Sequence, residues 1–597
     1  MYSKIGDNGV DDFIKNIEEI YKLINTKLDS KIKFRSIENC KKKFNIERDK
    51  YFAEYYYNQE IVSKAKDVIY TPYEISRYML ENLINPMDVI ENPFIKIIDP
   101  SCGCGNLICP CFYYLKSIFE NNIKAIDNHN NIDLQIKDIN KHIVCNNLFG
   151  FDIDETAIKI LKIDLFSISG GFNSENFEVK DFLIGNIDEK FDIFIGNPPY
   201  IGHKRVDRDY YKDLKKIYGN IYRDKSDISY CFLKKSLDCL KKVGKLGFIT
   251  SRYFCESCSG EELRKFLIEN ASIYKIVDFY GIRPFKNVGI DPIIMFLIKE
   301  KNSHNNIEVI KPKKGIELRK NRSYGSIFLK KYGEYRSFFI DQDSLENKGW
   351  IFIDKIERRI VDKIKKRSKY TLKDICESHQ GVITGCDKAF IIDECILKEK
   401  NIEGKLIRPW IKSSYIHRNK IMYKGKFIIY SNFIKNEKDY PNSINYIKTC
   451  KEKLLHRREC KKGIRKWYEL QWGRKPEIFE GKKIVFPYKS KNNRFALDEG
   501  SYFSADVYSL VLKKNVNFTY DNLLKILNSP LYEFYFKTFG KKLGENLYEY
   551  YPNNLMKLSI PVIDFCEKYD AESYLYKFFG LTEGEIKIVK RNYCIDE

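Results

Sequence analysis

From Asp11 to about Glu60 the apolar residues fall at helical spacing, with Phe13, Ile17, Ile20, Tyr21 and Ile24 on one face. This predicts a helical N-terminal arm over residues 1–65. From about Val68 to Glu300 short β-branched runs alternate with amphipathic stretches. FIKIIDP (94–100), HIVCNNLFGFDID (142–154), FDIFIGNPPY (191–200), KLGFITSRYF (245–254) and YKIVDFYG (274–281) read as buried parallel strands. Segments between them, such as SYCFLKKSLDCLKKVG, read as crossover helices. The alternation predicts an α/β, doubly wound, mostly parallel sheet over 66–305. Residues 306–370 are polar and irregular, a connector by pattern, and 371–597 form a mixed α+β region rich in Tyr, Phe and Lys.

A composition of 43% hydrophobic and 31% charged residues belongs to folded domains rather than disordered chain. The longest apolar runs fall short of the roughly 18 residues that span a bilayer, so no membrane partner is expected. The start, MYSKIGDNGVDDF, lacks the apolar core of a secretory signal, which predicts a cytoplasmic protein. The 17 cysteines are odd in number and irregularly spaced, as for reduced thiols. Cys102, Cys104, Cys109 and Cys111 are close enough to suggest a metal site. The first two, however, lie inside a glycine turn with another use, and no metal is expected. Net charge is +22, and residues 401–500 carry 25 Lys and Arg against 10 Asp and Glu. A basic field of that size suits a polyanion, although Lys is abundant along the whole chain.

Four strand ends carry candidate chemistry. Asp99-Pro100-Ser101-Cys102-Gly103-Cys104-Gly105 follows FIKII directly, and glycines there let backbone N–H groups approach a ligand. Some 45 residues on, Gly150-Phe151-Asp152-Ile153-Asp154 places an acid at a second strand tip, where it suits a ribose diol. Val179-Lys180-Asp181-Phe182 offers a carboxylate for an adenine amino group and a ring for its face; Asp181 also suits a helix cap. Asn197-Pro198-Pro199-Tyr200 follows FDIFIG, and its prolines stiffen the loop. The Asn197 carboxamide and the Pro198 carbonyl then form two acceptors that can hold both hydrogens of an aromatic amine. That frees its lone pair for attack on a sulfonium methyl, with Tyr200 as a flat surface for an extruded base.

In this order DPSCGCG, GFDID, VKDF and GNPPY resemble the motifs of amino-group DNA methyltransferases. IYTPYEIS resembles their upstream element, which folds over the methionine end of the cofactor. The resemblance implies that Thr71, Pro72, Asp99, Ser101, Cys102, Gly103, Gly105, Asp152, Asp181, Phe182 and Asn197 surround S-adenosylmethionine. It implies that Asn197, Pro198, Pro199, Tyr200 and Phe285 hold a flipped adenine. The fold it implies is a Rossmann-like methyltransferase domain followed by a target-recognition domain. Only about 90 residues separate the cofactor motif from NPPY, too few for a recognition domain between them, which is the gamma-class arrangement. HQGVITGCDKAF, RPWIKSSYIHRN, LLKILNSPLYEFYFK and YPNNLMKLSIP resemble recognition domains of that class. NPPYIGHK and RRECKKGIRKWYELQWGR are most similar to the clostridial, sporulation-linked CamA type. That type implies an orphan adenine methyltransferase reading an asymmetric, CAAAAA-like site.

Double-stranded DNA is therefore the expected partner, bound by a monomer without an obligate protein partner. Arg457, Arg458, Lys461, Lys462, Arg465, Lys466, Trp467 and Arg474 interleave cations with aromatic rings and are candidate phosphate contacts, or else a solvated helix face. Four other readings are a methyltransferase of a restriction–modification system, a fused restriction enzyme, an enzyme acting on RNA or protein glutamine, and a silent DNA-binding subunit.

Overall fold

The computed structural model describes residues 7–58, 71–280, 284–285, 290–301, 305–313, 335–543, 547–565 and 570–591. The chain divides into two compact units, Met1–Phe352 and Ile353–Glu597.

The first unit is built on a nine-stranded sheet. Its strands are β1 Ile97–Asp99, β2 Leu148–Asp152, β3 Phe177–Val179, β4 Phe191–Gly196 and β5 Leu240–Ser251. They are followed by β6 Ser272–Asp278, β7 Pro292–Ile298, β8 Asn306–Pro312 and β9 Tyr335–Asp341. The spatial order is β3-β2-β1-β4-β5-β7-β6-β8-β9. The first five strands run parallel to one another, with Ile97 opposite both Leu148 and Ile193. β7 is antiparallel to β5 and β6, and β9 to β8. Because side chains alternate across a strand, adjacent residues enter different cores. Ile97 and Ile193 join Phe112, Leu115 and Phe119 of the helix Ile108–Asn130 on one face. Ile98 and Phe194 join Phe182, Leu233 and Phe248 on the other.

Three sequence expectations change. Much of HIVCNNLFGFDID is helical, with Ile139–His142 an α-turn and Ile143–Asn147 a π-turn before β2. Side chains hold those turns: Asn147 donates to the Pro93 and Ile95 carbonyls, and His142 pairs with the Pro93 carbonyl. The supposed connector 306–370 instead supplies β8 and β9, whose apolar residues Ile307, Val309 and Ile340 are buried in the sheet's core. Its last part, Lys355–Arg367, is a helix of the second unit. The N-terminal segment is helical as expected, with α1 Asp7–Ile24, α2 Ser30–Lys43 and α3 Phe52–Asn58. It is no detached arm, because Phe13, Ile17, Ile20 and Ile24 pack with Ala157, Ile160, Ile163 and Phe166 of the helix Glu155–Ser169. Burial of these apolar side chains at ~25 cal/mol per Å² makes α1 part of the first unit's core.

The second unit is mixed α+β, with two four-stranded sheets and smaller ones. One sheet pairs Cys376–Gln380, Val507–Leu512, Lys482–Pro487 and Ala496–Glu499 in antiparallel register. Its core gathers Phe390, Trp410, Tyr430, Tyr468 and Tyr502. No helix among the described residues is long and apolar enough to cross a membrane.

Candidate active site

Parallel strands present their C-terminal ends along one edge of a sheet, and a crevice opens where the strand order reverses. Here β1–β3 step outward in one direction and β4 returns to the other side of β1. Asp99, Asp152, Asp181 and Asn197, which end or follow these strands, line one cavity of about 580 Å³. That volume lies within the range of small-molecule pockets. Of the residues anticipated from sequence, Thr71, Asp99, Ser101, Cys102, Gly103, Asp152, Asp181, Phe182, Asn197 and Pro199 line it. Pro72, Gly105, Pro198, Tyr200 and Phe285 are not among its lining residues.

The glycine loop is shaped by two left-handed residues, Gly103 at φ +50° and Gly105 at φ +87°. A Cβ on Gly105 would sit 2.3 Å from Leu161 Cδ1, so this glycine serves close packing against the helix Glu155–Ser169 rather than ligand contact. Gly103 N–H donates to Asp152 Oδ2 at 2.8 Å, which ties the loop to the tip of β2. Cys102 and Cys104 are buried, and desolvation pushes both thiols well above their usual range. Ser101 Oγ is buried without a hydrogen-bond partner among the described residues.

Four carboxylates, those of Asp99, Asp152, Asp154 and Asp181, line the cavity. Burial pushes Asp99 up to about 8, although Ser101 N–H donates to its Oδ1 at 3.0 Å. Burial also raises Asp152, against the N–H groups of Asp154 and Gly103, which favour its charged form. Asp181 accepts from Leu183 and Ile184 N–H through Oδ1, but the residues it holds form a turn, so it caps no helix. Its Oδ2 accepts from Tyr210 at 2.8 Å. Phe182 stacks on Phe232 with centroids 5.8 Å apart and forms an apolar wall.

The NPPY loop adopts a geometry the motif did not foretell. Tyr200 is 3% exposed, and its hydroxyl donates to Asn197 Oδ1 at 2.6 Å. Asn197 Nδ2 donates to Thr71 Oγ1 at 3.2 Å, linking the loop to the YTP element. The carboxamide is thus held between two hydroxyls, and the Tyr200 ring is buried rather than offered as an open stacking surface. Behind it, Ile228 N–H donates to the Ile201 carbonyl and His203 N–H to the Ser226 carbonyl, which pins the chain after NPPY. Phe285, expected over the base, is buried in the core cluster that holds Ile249, Val277 and Phe279. Sequence reasoning missed Tyr57, Lys180, Tyr210 and Phe232, all of which line the cavity. The aromatic run 55–57 and the pair Tyr210-Tyr211 were visible, but no local pattern assigns such residues to a pocket.

In the second unit the basic segment separates into two kinds of residue. Arg457 is 9% exposed, and its guanidinium donates to the carbonyls of Leu454, Thr384, Trp467 and Glu469. Arg474 donates to the Gly381 carbonyl and to Gln380 Oε1. Arg457 is buried with its donors taken by backbone carbonyls, as buried donors generally are, whereas Arg474 is half-buried. Arg465 and Trp467 are half-buried, with Arg465 set over the Trp472 ring. Arg458, Lys461, Lys462 and Lys466 are exposed.

Residues 168–285, which include Asn197–Tyr200, match the family described as Eco57I restriction-modification methylase. Residues 408–562 match the TaqI-like C-terminal specificity domain. Type II methyltransferase M.BstVI of Geobacillus stearothermophilus is 26% identical over 443 residues, 69% of this chain and 78% of that protein. Type II methyltransferase M.HindII of Haemophilus influenzae is 27% identical over 438 residues, 67% of this chain and 80% of that protein. In fold, the chain is similar to the type IIL restriction-modification enzyme MmeI, solved in complex with DNA. The TM-score is 0.54 at 13% identity, covering 88% of this chain and 74% of that one. By both matched domains and these sequence relatives, the chain is similar to type II restriction-modification DNA methyltransferases.

Proposed function

We propose that the chain transfers a methyl group from S-adenosylmethionine to the exocyclic N6 of adenine in double-stranded DNA, as a gamma-class enzyme. The observation that carries this reading is the placement of Asn197. Its carboxamide lines the same cavity as the glycine loop and the carboxylates at the ends of β1 and β2. The cavity suits that cofactor chemically. Ser101 Oγ is a buried hydroxyl without a hydrogen-bond partner among the described residues, and four carboxylates line the cavity beside it. Asp152 and Ser101 would hold polar groups, Asp181 and Phe182 an adenine ring, and Thr71 and Asp99 the charged end. When bound, S-adenosylmethionine supplies a methyl group on a positively charged sulfur.

The work of the protein is to position. Asn197 Oδ1 and the Pro198 carbonyl accept the two hydrogens of the target amine, drawing its nitrogen from planar toward tetrahedral geometry and exposing its lone pair. No strong general base is needed, since the proton becomes acidic only once the nitrogen is alkylated. Tyr200 already donates to Asn197 Oδ1, so a carbonyl with two lone pairs must serve both hydroxyl and amine, or exchange one for the other.

The second unit is proposed to read an asymmetric, adenine-rich site as in the CamA type. The exposed cations Arg458, Lys461, Lys462 and Lys466 would contact phosphates, with the enzyme acting as a cytoplasmic monomer. Incubating the purified chain with labelled cofactor and DNA, then digesting the DNA to nucleosides, tests the reading. N6-methyldeoxyadenosine is expected; methylcytosine, or label on RNA or protein alone, would sink it. The type II names of the relatives favour a second reading, in which the chain protects DNA from a companion nuclease. A cognate endonuclease activity blocked by this methylation would establish that role.

A further inference from the structure

We propose that the N-terminal helices are a working part of the cofactor site, with Tyr57 as the residue that positions the glycine loop; this rests on the methyltransferase reading above. Neither the motifs nor the matched domains assign this segment any role. Its last helix, α3, nevertheless delivers two adjacent tyrosines to the two lips of the cavity. Tyr57 lines the cavity, and its hydroxyl accepts the Cys104 N–H at 3.1 Å. Cys104 is buried, so without that hydroxyl its N–H would lose a partner in a place water reaches poorly. Tyr56 donates to Asp154 Oδ2 at 2.9 Å, while Asp154 Oδ1 caps the helix Glu155–Ser169. Between the lips runs the Gly103–Asp152 hydrogen bond. One short helix therefore braces both loops that the cofactor must touch.

Two further contacts fix where α3 sits. The N–H groups of Phe52 and Ala53, at its start, donate to the carboxylate of buried Asp164 at 3.1 and 3.2 Å. Phe52, Ala53, Tyr55 and Tyr56 are buried in the cluster that α1 forms with the helix Glu155–Ser169. The hydroxyl of Tyr57 is thus held at a defined height above the loop. A Cβ on Gly103 would lie 2.4 Å from Tyr57 Oη. The glycine and the hydroxyl are matched: either a methyl group or the hydroxyl can occupy that space, not both. This gives Gly103 a second reason to be glycine besides its left-handed backbone.

The inference is tested by titrating S-adenosylmethionine into wild type, Tyr57→Phe, Gly103→Ala and the double variant, with melting temperature measured in parallel. Loss of one buried hydrogen bond predicts about a fivefold rise in cofactor Kd and KM for Tyr57→Phe, with KM for DNA unmoved. Gly103→Ala displaces the same hydroxyl, so the double variant is expected to bind no more weakly than Gly103→Ala alone. Hydrogen exchange at residues 102–106 should quicken in Tyr57→Phe while the rest of the first unit keeps its protection. Wild-type affinity in Tyr57→Phe, or effects of the two substitutions that simply multiply, overturns the proposal. A lower melting temperature with unchanged cofactor affinity does so too, since it marks a packing role only. Failure of the wild-type protein itself to bind the cofactor would strike the methyltransferase reading instead.

Discussion

The Tyr200 hydroxyl donates to Asn197 Oδ1 across 2.6 Å, while the amide nitrogen of the same residue reaches Thr71. The carboxamide orientation is thereby set from both ends, with its oxygen as the acceptor. Asn197→Ala is expected to reduce methyl transfer by about 10²-fold or more, with cofactor affinity changed only a few-fold. Tyr200→Phe keeps the ring and removes the tether, and about a tenfold loss in kcat is expected. Single-turnover kinetics on saturating DNA separate these effects from binding. A fully active Asn197→Ala protein would falsify the positioning role.

Asp152 has two duties, one toward the cavity and one toward the N–H groups of Gly103 and Asp154. Asp152→Ala should weaken cofactor binding roughly 10- to 100-fold, more than loss of a single hydrogen bond explains, because the glycine loop is released as well. Calorimetric titration reads this directly. An unchanged Kd would remove Asp152 from the site.

Asp99 gives the protein a specific pH dependence. Its folded value is pushed up to about 8 from an ordinary 3.8 by burial. Between those values the native state holds a proton that the unfolded chain has released. Stability from this group is therefore present in acid and is lost as pH rises toward 8. Asp99→Asn abolishes the titration, so its melting temperature relative to wild type should climb between pH 5.5 and pH 8.5. A constant difference across that range would show that Asp99 is ionised throughout.

In the basic segment the arginines divide by burial. Arg457→Ala removes four hydrogen bonds to backbone carbonyls, two of them buried, and should destabilise the second unit by about 3 kcal/mol, seen as a lower unfolding midpoint. Alanine at exposed Arg458, Lys461 or Lys462 should leave stability within about 0.5 kcal/mol. Each true phosphate contact among them should lower the salt slope of DNA binding by about 0.9. Fluorescence anisotropy at several salt concentrations measures this. Slopes equal to wild type in all three variants would place the phosphate-binding surface elsewhere.

By itself the sequence determined the parallel strands β1, β4 and β5, the strand-end motifs and the mixed second region. Those features rest on local chemistry: apolar runs, glycines that admit left-handed turns, and prolines that stiffen one loop. Because parallel strands share an edge, the motifs at their ends were bound to converge, and Asp99, Asp152, Asp181 and Asn197 do line one cavity. Tertiary structure alone decided which neighbours those residues meet. Tyr56 reaches Asp154 across 98 positions and Asn197 reaches Thr71 across 126, contacts that no window of sequence contains. It also decided that Arg457 serves backbone carbonyls, that Tyr200 is buried, and that β8 and β9 extend the sheet. A charge, a ring or a polar strand takes its role from what desolvates it, and only the folded chain fixes that.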